Sequence, residues 1–389
     1  MSLRLLGFEL KKLLEQPMII IFLGLCWVFN LVFFISINVE QTYLSTVGII
    51  RETKGDKIDH ELKEMVINLP KNKRNQRLIN DVTRVENIYT NNLEKKITED
   101  IQREFQITEP LMNQLEKKYR DFQPMIKKLS KEKAAFDLAG ASETSPYFEA
   151  IRFFLLRFVL VESLIFSLLI GLYSSTSEKA TKTSYVTLTT KTGRGVQVSK
   201  YLSGLILSSF FFILVTIVSF GVFFIFHPMS GFGNSSVSTW FNQNMYTFKY
   251  LDNGIVILPF MTWIPMSFNS YMLYSLGFSF ILVFLFYSSQ FLIGLWLDHL
   301  FKGVILTSTL IVIHKILVVG SVKLGTWHVF SWLMFSPIQV FETQPFWFTE
   351  MGPFTILPLQ EVLVTGIAMI LLVISAHYMK TYYQKKEVY

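Results

Sequence analysis

A single cysteine, Cys26, occurs among the 389 residues, so neither an intramolecular disulfide nor a cysteine metal cluster can form. The chain also lacks a phosphate-cradling loop: Gly193-Arg194-Gly195 is missing the Gly-Lys-Ser/Thr ending, and hydrolysis of ATP by this chain alone is not expected. There is no His-Glu-x-x-His pair for zinc and no Gly-x-Ser-x-Gly elbow for a nucleophile. The six histidines, His60, His227, His299, His314, His328 and His377, form no spaced ligand set. These absences leave little room for an enzyme, and none is expected.

Charge is missing from long stretches as well. Tyr201 to Phe226 and Tyr271 to Leu297 run for 26 and 27 residues without Asp, Glu, Lys or Arg. Either can cross about 30 Å of hydrocarbon at about 1.5 Å per residue. Spans are expected at 18–38, 152–174, 201–226, 271–297, 303–322 and 361–379, giving an all-α polytopic membrane protein with both termini on one side. The apolar run after Arg4, Lys11 and Lys12 is too long for a cleaved signal peptide and carries no small-residue cleavage site.

What is present divides the chain into an interface segment (1–17), a first span (18–38), a polar block (39–150) and five further spans (151–389). The polar block holds 19 Lys and Arg against 19 Asp and Glu, so the net charge of +7 lies wholly in the membrane-flanking regions. Basicity there orients the protein and recruits no nucleic acid. With the termini inside, the N-terminal flank, the 175–200 loop (Lys179, Lys182, Lys191, Arg194, Lys200) and the tail (Lys380, Lys385, Lys386) are basic. The opposite loops, 227–270 and 323–360, carry only Lys249 and Lys323. The positive-inside rule then places both termini in the cytoplasm and the polar block outside.

Periodicity gives the block a helical reading. Leu93, Ile97, Ile101 and Phe105 step by four, and Leu111, Leu115, Tyr119, Phe122, Ile126 and Leu129 repeat the stripe after Pro110. A block of this size is able to bury a small core of its own or to extend as helices from the first two spans. Ahead of the first span, Leu3, Leu6, Leu10, Leu13 and Leu14 recur at helical spacing with Glu9, Lys11, Lys12 and Glu15 between them, an amphipathic helix for the inner membrane surface. Pro17 suits the turn into the membrane. The outer segments Gly254 to Met266 and Val329 to Val340 are greasy enough to lie in the headgroup zone or dip back into the bilayer.

Two ionisable sites fall inside expected spans, Glu162 in the second and His314-Lys315 in the fifth. A charge in hydrocarbon costs at least about 2.5 kcal/mol, so these groups are expected to face protein, water or each other. At similar depths from the outer side, Glu162 and Lys315 are candidates for an intramembrane ion pair; the alternative has Lys315 snorkelling outward and Glu162 protonated.

The loop Ser174-Ser175-Thr176-Ser177-Glu178-Lys179, continuing to Thr183, Leu188, Thr190, Arg194 and Lys200, resembles the loop between the second and third spans of type-two (ABC-2) ABC exporter permeases. The opening Phe8-Glu9-Leu10-Lys11-Lys12-Leu13-Leu14 with Pro17 resembles the interface helix of that family. Glu178, Thr183, Leu188, Arg194 and Lys200 fit the family pattern, whereas Lys182 stands where the family has a glycine and Lys191 where it has a proline. The resemblance implies a permease that pairs with a second copy or a related permease and stands on two ABC ATPase subunits, which bind the ATP and magnesium. Phe8, Glu9, Lys11, Lys12, Glu178, Lys179, Thr183, Leu188, Arg194 and Lys200 would couple the two. It further implies export of an amphipathic peptide, lipid-like compound or antibiotic across a bacterial plasma membrane. The rival reading is a non-transporting sensor or scaffold whose external helical block binds a ligand or partner.

Overall fold

A computed structural model describes residues 3–90, 92–105, 107, 109–183, 196–229, 231–247 and 255–385. Six of its helices are long and apolar enough to cross a membrane. Helix α1 (Leu3–Leu14) precedes span one, α2 (Pro17–Ile35), and Pro17 opens that span at a position where a proline's missing N–H is no loss. The helical block follows as α3 (Gln41–Lys54), α4 (His60–Ile67), α5 (Lys73–Arg84), α6 (Leu93–Phe105), α7 (Glu109–Lys131) and α8 (Thr144–Glu149). Span two (Leu156–Ala180) is entered through a π-helical turn, Ala150–Leu155. Spans three to six are Val196–Phe226, Phe268–Leu297, Leu300–Lys323 and Gln360–Lys385, the last apolar from Gln360 to Met379.

The stripes read from the sequence on α6 and α7 are all buried, from Leu93 to Phe105 and from Leu111 to Leu129. They do not close a core of their own. Val256, Leu258, Trp327, Phe330, Met334 and Met351, from the connections between later spans, complete it. A second, smaller core joins α3, α4 and α5 through Tyr43, Val47, Leu62, Leu78 and Val82. Two of these three helices, α4 and α5, are capped by side chains, Asp59 Oδ1 accepting from the Leu62 N–H at 2.9 Å and Asn72 Oδ1 from the Asn75 N–H at 2.8 Å.

Asp137 ties the block to the connection after span three. Its Oδ2 accepts from Lys57 Nζ and from the Ser236 N–H, both at 3.0 Å. Burial pushes this carboxyl above the usual aspartate range, with Ser236 and Lys57 pulling the other way. A raised folded value means that the group's contribution is full at low pH and is lost as pH rises through that value. Asp137→Asn keeps an acceptor for Ser236 and removes the charge. It should leave stability at neutral pH within about 1 kcal/mol of the parent, because Lys57 is half exposed, and it should steepen the loss of stability on acidification, because the term that grows as pH falls is gone. Denaturant titrations at several pH values check this; an unaltered acid limb would refute it.

The described part of the greasy segment that ends at Met266 opens on a strand. Ile255–Pro259 is strand β2, antiparallel to β1 (Gln243–Thr247), with Met245 opposite Ile257 and Thr247 opposite Ile255. These are the only strands among the described residues, one small sheet in a chain whose six long apolar helices agree with the expected all-α polytopic class. Val256 and Leu258 point into the core beside α6 while Ile255 and Ile257 stay exposed. A strand apolar on both faces reads as an unbroken greasy run, which hid its period of two. The other segment, Val329 to Val340, lies in two short helices, Trp327–Leu333 and Pro337–Glu342, that return along span five. His314 Nε2–H there donates to the Leu333 carbonyl at 3.3 Å.

Spans two and four are the most covered and pack closest, and spans five and six are the least covered. At Gly171 a Cβ would lie 2.9 Å from the Tyr287 carbonyl oxygen, so only glycine lets the two backbones approach this far. Spans one, two and three meet along an aromatic seam in which the Phe166 and Phe211 rings stack 3.9 Å apart.

Candidate functional site

At the end of the bundle that carries α1, four of the residues singled out in the sequence converge. Glu9 and Leu13 turn inward from α1 and are buried, although Glu9 is an acid on a helix otherwise packed through leucine. Across from them Lys200, at the start of span three, forms an ion pair of 2.6 Å with Glu178 at the end of span two. Glu9, Lys12, Tyr173, Ser174, Ser177 and Lys200 line a small cavity between these elements. Ser203 Oγ lies 3.1 Å from the Leu6 carbonyl oxygen, fastening α1 to span three one turn nearer the helix N-terminus.

Span two ends in a Schellman turn. The Lys182 N–H donates to the Lys179 carbonyl at 3.1 Å and the Thr183 N–H to the Glu178 carbonyl at 2.9 Å. That closure requires a left-handed residue between them, and Lys182 adopts φ +58°. Lysine therefore stands where the loop of the resembling family has glycine, in a backbone conformation that glycine occupies without steric cost. Lys182→Gly should raise thermal stability, by about 1 kcal/mol if the relief of the left-handed Cβ clash exceeds glycine's greater unfolded-state entropy. Thermal unfolding in detergent measures it, and a loss of stability would show that the cap gains nothing from glycine.

The remaining coupling candidates fall outside this cluster. Lys179 pairs with Asp298, just beyond span four, so the same turn reaches a third span. Lys11 is exposed and faces Glu15 at 3.8 Å, and Phe8 is exposed. Thr183 Oγ1 lies 2.8 Å from Thr181 Oγ1 at the loop's start. Leu188, Lys191 and Arg194 lie outside the described residues. Sequence reasoning missed Tyr173, Ser203 and Asp298, whose role depends on which spans are neighbours; an Asp directly after a 27-residue uncharged run was the one available signal.

The proposed pairing of Glu162 with Lys315 is not what the structure shows. Lys315 Nζ lies 3.2 Å from Glu342 Oε1, and Glu342 Oε2 lies 3.7 Å from Arg157 Nη2, so Glu342 stands between the two cations. Arg157 also donates to the Phe341 carbonyl and lies over the Phe341 ring, 4.0 Å from its centroid. Lys315 thus shares the level of Arg157, five residues and about 7 to 8 Å before Glu162 along span two. The partner that displaces it, Glu342, lies two residues beyond Val340, the end of the greasy segment read from the sequence.

Glu162 instead faces span one. Asn30 Nδ2 donates to Glu162 Oε2 at 3.0 Å and to Ser219 Oγ of span three at 2.9 Å. Along span two, Arg157 and Lys179 are 22 residues apart, about 33 Å, and both are held by acids from other elements. The distance matches a hydrocarbon thickness of about 30 Å and leaves Glu162 between the two charged borders. Comparison with family models, with curated proteins and with solved structures finds no match for this chain.

Proposed function

We propose that this chain is the membrane permease subunit of an ATP-driven ABC exporter. In this reading two permease copies, or one with a related permease, stand on two separate ATPase subunits that bind the ATP and magnesium. The helical block then lies outside a bacterial plasma membrane, both termini lie in the cytoplasm, and the cargo is an amphipathic peptide, lipid-like compound or antibiotic.

The observation that carries it is the docking of α1 on the ends of spans two and three through Glu9, Lys12, Glu178 and Lys200, beside a loop whose first turn is left-handed where the resembling family has glycine. A short helix whose buried Glu9 faces the Lys200–Glu178 pair across a shared cavity, and which packs on both spans that the pair joins, transmits a push as a rigid body. Lys179 and Asp298 extend that clamp to span four. The test is purification of the full chain with the ABC ATPase encoded beside it. A stable complex whose ATP turnover rises with candidate peptides supports export. Absence of any ATPase partner, with a ligand bound by the helical block, would favour the sensor reading.

A further inference from the structure

Glu162 has one neutral hydrogen-bond donor of short length, Asn30 Nδ2, and no cationic partner among the described residues. The neighbouring elements offer none. Span one carries no Asp, Glu, Lys, Arg or His from Pro17 to Ile35, its Cys26 thiol being the one titratable group that reaches the carboxyl. Spans three and four carry none from Tyr201 to Phe226 or from Phe268 to Leu297. Arg157 and Lys315 are held by Glu342, His314 donates to the Leu333 carbonyl, and Arg152 reaches Asn244 Oδ1 at 2.9 Å.

Asn30 is 1% exposed, and its amide is used on one side only. Both Nδ2 hydrogens are committed, to Glu162 and to Ser219, whereas Oδ1 is buried and accepts from nothing. An ionised carboxylate is satisfied by the donor side of this amide. A protonated carboxyl needs an acceptor, and a half-turn of the same amide presents Oδ1 to it. The arrangement serves both charge states of Glu162 with one neutral side chain, in a region where an unpaired charge costs about 2.5 to 3.5 kcal/mol.

We infer that Glu162 and Asn30 form a proton-binding site between spans one and two. Glu162 carboxylate takes one solvent proton to give the carboxylic acid; one O–H bond forms, and the N–H···O contact from Asn30 is exchanged for O–H···Oδ1. The site ties together the two spans that lead directly into the helical block, so its proton alters the join between them.

The test is infrared difference spectroscopy of the full chain in lipid nanodiscs through a pH titration, in H2O and D2O. The expected result is a carbonyl band of a protonated buried carboxyl that grows as pH falls, shifts in D2O, changes position in Glu162→Asp and vanishes in Glu162→Gln. Asn30→Leu removes the donor of the ionised form and should move the midpoint up by about one to two pH units. A band that is absent at every pH, constant at every pH, or unchanged in both Glu162 variants overturns the site. If Glu162→Gln fails to fold, Glu162→Asp and the deuterium shift still decide. A midpoint unmoved in Asn30→Leu overturns the role of Asn30. The readout needs neither ATPase nor cargo, so its failure is distinct from failure of the export reading.

Discussion

Lys118→Met is expected to destabilise the helical block by about 3 to 5 kcal/mol, the cost of leaving a buried charge without its partner. The Lys118 and Glu350 side chains are both 0% exposed and lie 2.6 Å apart. Lys118 Nζ also donates to the carbonyl oxygens of Gly352 at 2.6 Å and Thr355 at 3.1 Å, so α7 is bolted to the connection before span six. Burial pulls the ammonium below the usual lysine range, and the nearby Glu350 carboxylate opposes that shift. Methionine fills the space of the lysine stem but takes away the cation 2.6 Å from Glu350, while Tyr119 Oη at 2.6 Å and the Gly352 N–H at 2.5 Å still donate to it.

Adding Glu350→Gln to Lys118→Met removes the carboxylate charge and keeps an acceptor for those donors. The double variant should therefore be markedly more stable than Lys118→Met alone, with a coupling energy of about 2 kcal/mol or more in the double-mutant cycle. Denaturant unfolding in detergent gives the energies, and limited proteolysis reports whether the loss is confined to the block. A single-variant loss under about 1 kcal/mol would mean that water reaches the pair and relieves it.

The elements of this fold that follow from local chemistry were legible, and those that depend on distant neighbours were not. Apolar length marks six spans because hydrocarbon admits little else, and the stripes of α6 and α7 mark buried faces because helical period is local. Lys118 gave no such sign: it falls in the run Lys117-Lys118, where a solvated charge is the ordinary reading, and its acid is 232 residues away. Asn30 is one polar residue in an apolar helix, and its meaning comes from Glu162 and Ser219, 132 and 189 residues off. Lys315 was placed by depth alone. Depth along one helix says nothing of which short helix packs beside it, and Pro337–Glu342 supplied the nearer acid. Glu9, Glu178 and Lys200 were picked out because they fall on motif positions of the family that the sequence resembles, while the inward turn of Glu9 was not legible.

Lys200→Glu should undock α1 and abolish coupling. Lys200 is almost fully buried, its side chain 1% exposed, and Glu178 lies 2.6 Å away at 12% exposure. Reversal sets a third carboxylate against Glu178 and Glu9 where water cannot screen them. Breaking a buried pair costs about 3 kcal/mol or more. That cost falls on the contact between spans two and three; the docked population of α1 responds to the exchange of attraction for repulsion at Glu9, and about 1.4 kcal/mol there lowers it by about tenfold relative to the undocked one. Hydrogen exchange along Leu3–Leu14 measures this directly. Glu178→Lys combined with Lys200→Glu should restore part of the protection only, because the exchanged acid still faces Glu9 and the exchanged lysine sits at the more open position. Lys11→Glu, on the exposed face, should leave exchange unchanged. In the complex with the ATPase, cargo-stimulated turnover should track α1 protection across these variants. If Lys200→Glu loses protection yet keeps stimulated turnover, force does not pass through α1, and the coupling route must run through the turn that Lys179 and Asp298 hold at span four.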